Sequence, residues 1–334
     1  MEKWCLSFIA FFTCAFVMAQ TDTTQPYEAA KLYMRQGDYA NAELFFEKAL
    51  QKDPSNTAIA KDFAFNYYFA KDNNKALSII KPLLDKSEAD DQVFQIGANI
   101  YRALDMTKDA EATYKKGLKR FPKDGLLYND YGELLSAQQN TGAIDQWEKG
   151  IELDPSYSGN YFNAAKYYYF TPDKIWGLLY AEIFLNLEPQ SSRTAEVKNI
   201  LLDSYKKLLA DAEAVKPGKE KITFEKAFVK AISKELPLAA SGLTAENLTM
   251  IRTRFILNWF ETYAKNFPFK LFDFHQQLLQ DGLFDAYNQW IFGAAQNLDA
   301  YQTWTGTHTT EYSDFNTFQK GRIFKLPAGQ YYKK

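Results

Sequence analysis

Small side chains recur along the first half of this chain at nearly fixed intervals. Ala30, Ala64, Ala98, Gly132 and Ala165 stand 34, 34, 34 and 33 residues apart. A large residue follows each by three positions: Tyr33, Tyr67, Tyr101, Leu135 and Tyr168. A second small series runs Ala42, Ala76, Ala110, Ala143 and Gly177. Turn prolines stand at Pro54, Pro122, Pro155 and Pro189, with Glu88 in the remaining slot. The one shortened step falls between Leu135 and Ala143, inside a unit. Four series sharing one period mark an internal repeat.

Each unit reads as two helices. In the first, Tyr27 to Met34 is followed by the turn Gln36-Gly37-Asp38-Tyr39 and then by Ala40 to Gln51. Gly37 accepts backbone angles that break a helix, and Pro54 cannot continue one. The small residue on each helix lets its neighbour approach, and the large residue fills the groove beside it.

The stretch 23–190 resembles the tetratricopeptide repeat family. The residues that carry the resemblance are Ala30, Tyr33, Ala42, Phe46, Ala49 and Pro54 in the first unit. Ala98, Tyr101, Ala110, Tyr114, Gly117 and Pro122 carry it in the third, and Gly132, Ala143, Trp147, Gly150 and Pro155 in the fourth. The second unit departs at Leu83 and Glu88, the fifth at Gly177 and Phe184. Beyond them Val197, Ile200, Leu201, Leu208 and Leu209 stripe one further helix, expected to cap the last unit.

Residues 221–334 lose the period and become aromatic: Trp259, Phe260, Phe267, Phe269, Phe272, Phe274, Phe284, Tyr287, Trp290, Phe292, Tyr301 and Trp304. Apolar spacing predicts helices over 222–235, 244–265, 269–280, 283–303 and 311–320, with Thr310 a candidate cap for the last. Two readings of this aromatic density stand: a core of large rings, or a ligand surface in which flat rings meet a glycan or peptide.

The amino terminus has the pattern of an export signal. Trp4 to Val17 is almost wholly apolar, Val17-Met18-Ala19 offers a cleavage site, and Gln20 begins a polar stretch. The run is shorter than the ~20 residues of a membrane-spanning helix. An uncleaved anchor, or lipidation of Cys14, is the alternative. Cys5 and Cys14 are the only cysteines, so cleavage after Ala19 leaves none for disulfides, thiolate metal sites or nucleophilic catalysis.

Composition narrows the function. The 334 residues carry 39 basic and 41 acidic side chains, a net charge of −2, with 46% hydrophobic residues. That is a globular composition without the basic footprint of a nucleic-acid binder. The two histidines, His275 and His308, form no zinc motif, and neither a nucleophile elbow nor a phosphate loop is present. A hydrolase built on two carboxylates leaves almost no linear signature; Glu261, Asp273, Asp281 and Asp285 are its candidates.

The family resemblance implies that the first helix of each unit lines a concave face. Mapped so, that face holds Tyr27, Lys31, Lys61, Phe65, Tyr68, Gln95, Asn99, Arg102, Asn129, Glu133, Phe162, Lys166 and Tyr169. Some members clamp a peptide's terminal carboxylate with Lys, Asn and Arg. Here the corresponding slots hold Tyr27, Lys31, Phe65, Gln95 and Asn99, which departs from that pattern.

The expectation is an all-α protein: a signal peptide (1–19), a tetratricopeptide-like α-solenoid of about five hairpins with its cap helix (20–215), a linker (216–220) and a helical, aromatic-rich C-terminal domain (221–334). The expected function is that of a non-catalytic adaptor or assembly factor of the bacterial cell envelope, periplasmic or secreted. It would bind another envelope protein or peptide, with no cofactor, metal, nucleic acid or membrane span. The alternative is a glycan- or peptidoglycan-directed binding protein or hydrolase that uses the C-terminal domain.

Overall fold

The computed structural model describes residues 24–211, 222–240 and 242–330. The expected export signal (1–19), with Cys14, and the expected linker 216–220 lie outside the described residues. The described residues are helices joined by turns, with no strand among them, and none of these helices is long and apolar enough to cross a membrane. Packing divides the chain into two compact units, 1–89 and 90–334.

The first unit contains two hairpins. Helices α1 (Thr24–Arg35) and α2 (Tyr39–Lys52) form one, α3 (Thr57–Phe69) and α4 (Asn73–Leu83) the other. Ala30, Ala42, Ala64 and Ala76 are fully buried between them, which explains the two small-residue series. Phe46 fills the space beside Ala42 and stacks on Phe63 at 5.4 Å.

The second unit opens with three more hairpins: α5 (Asp91–Ala103) with α6 (Thr107–Arg120), α7 (Gly125–Ala137) with α8 (Ala143–Leu153), and α9 (Ser158–Tyr169) with α10 (Lys174–Leu187). At Gly132 the approach is so close that an added Cβ would lie 2.3 Å from the Trp147 indole nitrogen. Helix α11 (Thr194–Asp211) follows and packs along α10.

The turn inside each of the first four hairpins repeats as strictly as the small residues do. Gly37, Lys71, Asp105 and Gln139 take positive φ angles of 78°, 63°, 57° and 57°, at steps of 34 residues. In the first two of these turns the next residue caps the second helix: the side chains of Asp38 and Asp72 accept from the backbone N–H groups of Asn41 and Lys75.

The C-terminal helices belong to the same compact unit. They are α12 (Phe224–Ile232), α13 (Leu236–Ala239), α14 (Ala245–Thr262), α15 (Lys270–Gln280), α16 (Phe284–Asn288), α17 (Ala294–Gln296), α18 (Leu298–Thr307) and α19 (Thr309–Gly321). A 3-10 turn at Ser233–Glu235 joins α12 to α13, and a π-helical turn at Gln289–Gly293 joins α16 to α17. Helix α10 has Trp176 to Asn186 buried without interruption. A helix apolar on every side must be surrounded: α9 and α11 cover it, and Trp176 stacks on Phe224 of α12 at 5.3 Å.

Two details of the helix prediction are corrected. The stretch 283–303 is not one helix. Asn297 is extended (φ −157°, ψ 110°), and its side chain accepts from the Ala300 N–H to start α18. Thr310 is not a cap, because α19 already begins at Thr309 and His308 holds the capping position without a side-chain bond.

Candidate functional site

In the second unit the first helices of neighbouring hairpins are tied by side chains one repeat apart. Gln95 and Asn99 of α5 donate to Asp130 of α7 at 3.0 and 3.4 Å. Asn163 of α9 donates to Asn129 of α7 at 2.9 Å and to Glu133 at 3.4 Å. Tyr169 of α9 donates to Asp203 of α11 at 2.6 Å. Equal positions on parallel helices face each other, so a 34-residue sequence period becomes a row of amide and carboxylate contacts.

This row backs an open cleft of about 580 Å³ lined by Arg102, Glu133, Ser136, Trp147, Asn163, Lys166, Tyr167, Phe170 and Thr171. Arg102 donates to Asn99 at 3.3 Å and lies 4.0 Å from Glu133. Lys166 pairs with Glu196 at 2.7 Å. Phe170, just past the end of α9, is 82% exposed at the rim. The Trp147 N–H is engaged by the Asn129 carbonyl at 3.2 Å, leaving its ring as apolar wall.

The concave-face residues expected from the sequence are placed as follows. Arg102, Glu133 and Lys166 line the cleft. Gln95 and Asn99 stand behind it in the hydrogen-bonded row, with Asn129, which is only 5% exposed. Phe162 and Tyr169 flank it under cations: Arg193 lies 4.8 Å from the Phe162 ring and Lys207 3.7 Å from the Tyr169 ring. In the first unit Lys61 is buried, and Lys31 pairs with Glu28 at 2.6 Å above the Tyr27 ring. Phe65 stacks on Tyr68 there and meets the exposed Phe69 at a tilt, and Phe69 stacks on Tyr39. Ser136, Asn163, Tyr167 and Phe170 were missed from the sequence. Asn163 was accessible to the repeat arithmetic, one period after Asn129. Phe170 was not, because it follows its helix.

A second constellation is enclosed. Glu182 of α10 is 1% exposed and accepts from Arg252 of α14, while His275 of α15 and Tyr287 of α16 each lie 2.8 Å from the same oxygen. Asn186 donates to the Tyr287 hydroxyl at 2.7 Å and accepts from Arg322 at 2.6 Å. Burial pushes the Glu182 carboxyl up, but the Arg252 charge, His275 and Tyr287 overcome it and hold it at about 2. Glu182, Arg252 and His275 are each at least 97% buried, so the constellation joins helices and has no surface on which to meet a substrate.

The C-terminal aromatic residues mostly face one another. Trp259, Phe272, Phe255 and Phe228 are buried and form mutual ring contacts of 4.8 to 6.0 Å. The candidate acids Glu261, Asp273, Asp281 and Asp285 lie exposed on helix surfaces and turns. Among the described residues no three His, Cys, Asp or Glu side chains are placed to hold a metal ion.

The family model for the tetratricopeptide repeat matches residues 33–100. No curated protein matches the chain significantly. Among solved structures, a tetratricopeptide repeat protein from Parabacteroides merdae is 16% identical, covering 77% of this chain and 98% of its own, with a TM-score of 0.43. PilF of Pseudomonas aeruginosa is 15% identical over 66% of this chain and 91% of its own, with a TM-score of 0.48. PilW, a type IV pilus biogenesis factor, is 20% identical over 59% and 90%, with a TM-score of 0.47.

Proposed function

We propose that this protein is an exported, non-catalytic adaptor or assembly factor of the bacterial cell envelope that binds a protein partner through the concave side of its repeats. The observation that carries the reading is the cleft at Arg102, Glu133, Asn163, Lys166 and Phe170. Its floor is fixed by hydrogen bonds between repeats, and a nearly free phenylalanine stands at its rim. A rigid polar floor beside an exposed ring suits a protein segment better than a reaction. The repeat family matched at residues 33–100 supports the same reading. Export rests on the amino-terminal pattern, and the mature chain is expected to begin at Gln20.

The test uses the full chain. Purified protein is incubated with envelope extract from the producing cells, alongside a variant carrying Arg102→Ala, Lys166→Ala and Phe170→Ala. The variant should keep its helical circular dichroism and retain less than about a tenth of the partner. Equal retention by the folded variant contradicts the cleft assignment. Mass spectrometry of the exported protein checks the Gln20 start; an intact Met1 in the mature protein contradicts cleavage.

A further inference from the structure

Resting on the reading that the cleft receives a protein segment, we infer that it takes an extended, locally uncharged segment that enters with one large apolar side chain. The charges around the cleft are balanced within the fold. Arg102 has Glu133 at 4.0 Å and Asn99 at 3.3 Å, and Lys166 has Glu196 at 2.7 Å. Just beyond the rim, Lys207 has Asp203 at 2.9 Å. An incoming carboxylate would have to displace one of these acids, and an incoming ammonium would have to displace one of the cations. Exchanging one exposed ion pair for another gains little, and the displaced like charge remains beside the newcomer.

What the fold leaves unused is apolar and amide-directed. Phe170 makes an edge-on contact with Tyr169 at 4.9 Å but is otherwise bare at 82% exposure. Covering it, with the half-exposed Tyr167 beside it, removes apolar area from water at roughly 25 cal/mol per Å². Asn163 uses its amide N–H groups on Asn129 and Glu133, which leaves its carbonyl oxygen to accept from a backbone N–H. Ser136 has no side-chain hydrogen bond to any described residue and offers a hydroxyl.

The lining residues also set the segment's direction. Most come from α5, α7 and α9, three successive first helices, joined by Trp147 of α8 and by Phe170 and Thr171 just past the end of α9, so the segment crosses the first helices and does not lie along one. Packed helices stand about 10 Å apart, and an extended chain rises about 3.3 Å per residue. About three residues bridge each step, and about six span the cleft.

The experiment pans the full chain against a random library of short displayed peptides, then titrates the enriched peptides as synthetic versions. The expected consensus has one aromatic or large aliphatic position and no enrichment of Asp, Glu, Lys or Arg. Affinity should change less than about twofold between roughly 0.05 and 0.5 M salt, and equally for free and amidated C-termini. Phe170→Ser, with unchanged circular dichroism, should weaken binding about tenfold or more. A charged consensus, or a tenfold loss with salt, overturns the uncharged-segment inference while leaving protein binding at this cleft intact. No enrichment, or enrichment indifferent to Phe170→Ser, overturns the cleft itself and the inference with it.

Discussion

The indole of Trp147 occupies the place that a methyl group on residue 132 would need. A Cβ on Gly132 would lie 2.3 Å from its Nε1, and that nitrogen is already committed to the Asn129 carbonyl at 3.2 Å. Trp147 is 4% exposed and has little room to retreat. Alanine is ordinarily the better helix former, by about 1 kcal/mol. Here Gly132→Ala should instead destabilise by about 1–3 kcal/mol through overpacking. Chemical denaturation measures it, and a variant as stable as the parent would show that α7 and α8 can separate without penalty.

The residue opening α6 has the backbone of a cap without its side chain. Met106 has φ −85° and ψ 62°, matching Asp38 at −87° and 72° and Asp72 at −87° and 67°. The two aspartates accept an N–H from the helix they precede; Met106 accepts none and is 38% exposed. Met106→Asn should add about 1 kcal/mol of stability without adding charge beside Asp105. A lower melting temperature would contradict the equivalence of these turns.

The enclosed Glu182–Arg252 pair ties the last repeat to the C-terminal helices. Arg252→Ala removes the cation from a buried carboxylate and should cost about 3–5 kcal/mol. Pairing Arg252→Met with Glu182→Gln should recover part of that loss. If the double variant is no better than Arg252→Ala, the loss lies in packing and not in charge.

The same cluster gives stability a pH dependence. Burial, against the pull of Glu182 and with the Arg252 charge, holds the His275 imidazole below its ordinary value. As the pH falls through about 6.5 the unfolded chain binds the proton first, so the stability contributed by His275 is lost toward acid. Asp124 works the other way. Burial, and the Asp91 carboxylate against the Leu127 N–H, raise it from 3.8 to about 6, so its contribution is full at low pH, fades as the pH rises between those two values and is gone above about 6. Denaturation of the parent and of His275→Gln between about pH 5 and 7.5 separates the two. The parent's advantage over the variant should shrink toward acid, and a constant difference would contradict the buried neutral imidazole.

The hairpins were legible in the sequence because close approach demands Ala or Gly at fixed intervals, as at Ala64, Ala98 and Gly132. The left-handed turn positions have the same period but were hidden, since Gly37 is followed by Lys71, Asp105 and Gln139, which share a backbone angle and no chemistry. Within the cleft, Arg102, Glu133 and Lys166 followed from what the family resemblance implies about the first helix of each unit, mapped through the repeat spacing. The Glu182 cluster did not, because its partners Arg252 and His275 lie 70 and 93 residues away on helices outside the repeat. Apolar spacing continues on either side of Asn297 and so predicts one helix, while the break depends on one side chain capping Ala300.

Site-specific crosslinking in the producing cells tests the central claim most directly. A photoreactive phenylalanine analogue is placed at position 170 of the full chain and, in parallel, at the exposed Lys116 on α6. Binding at the cleft predicts a discrete protein adduct from position 170 and none from position 116. An adduct from position 116 alone, or none from position 170 in a chain made at normal levels, would contradict it.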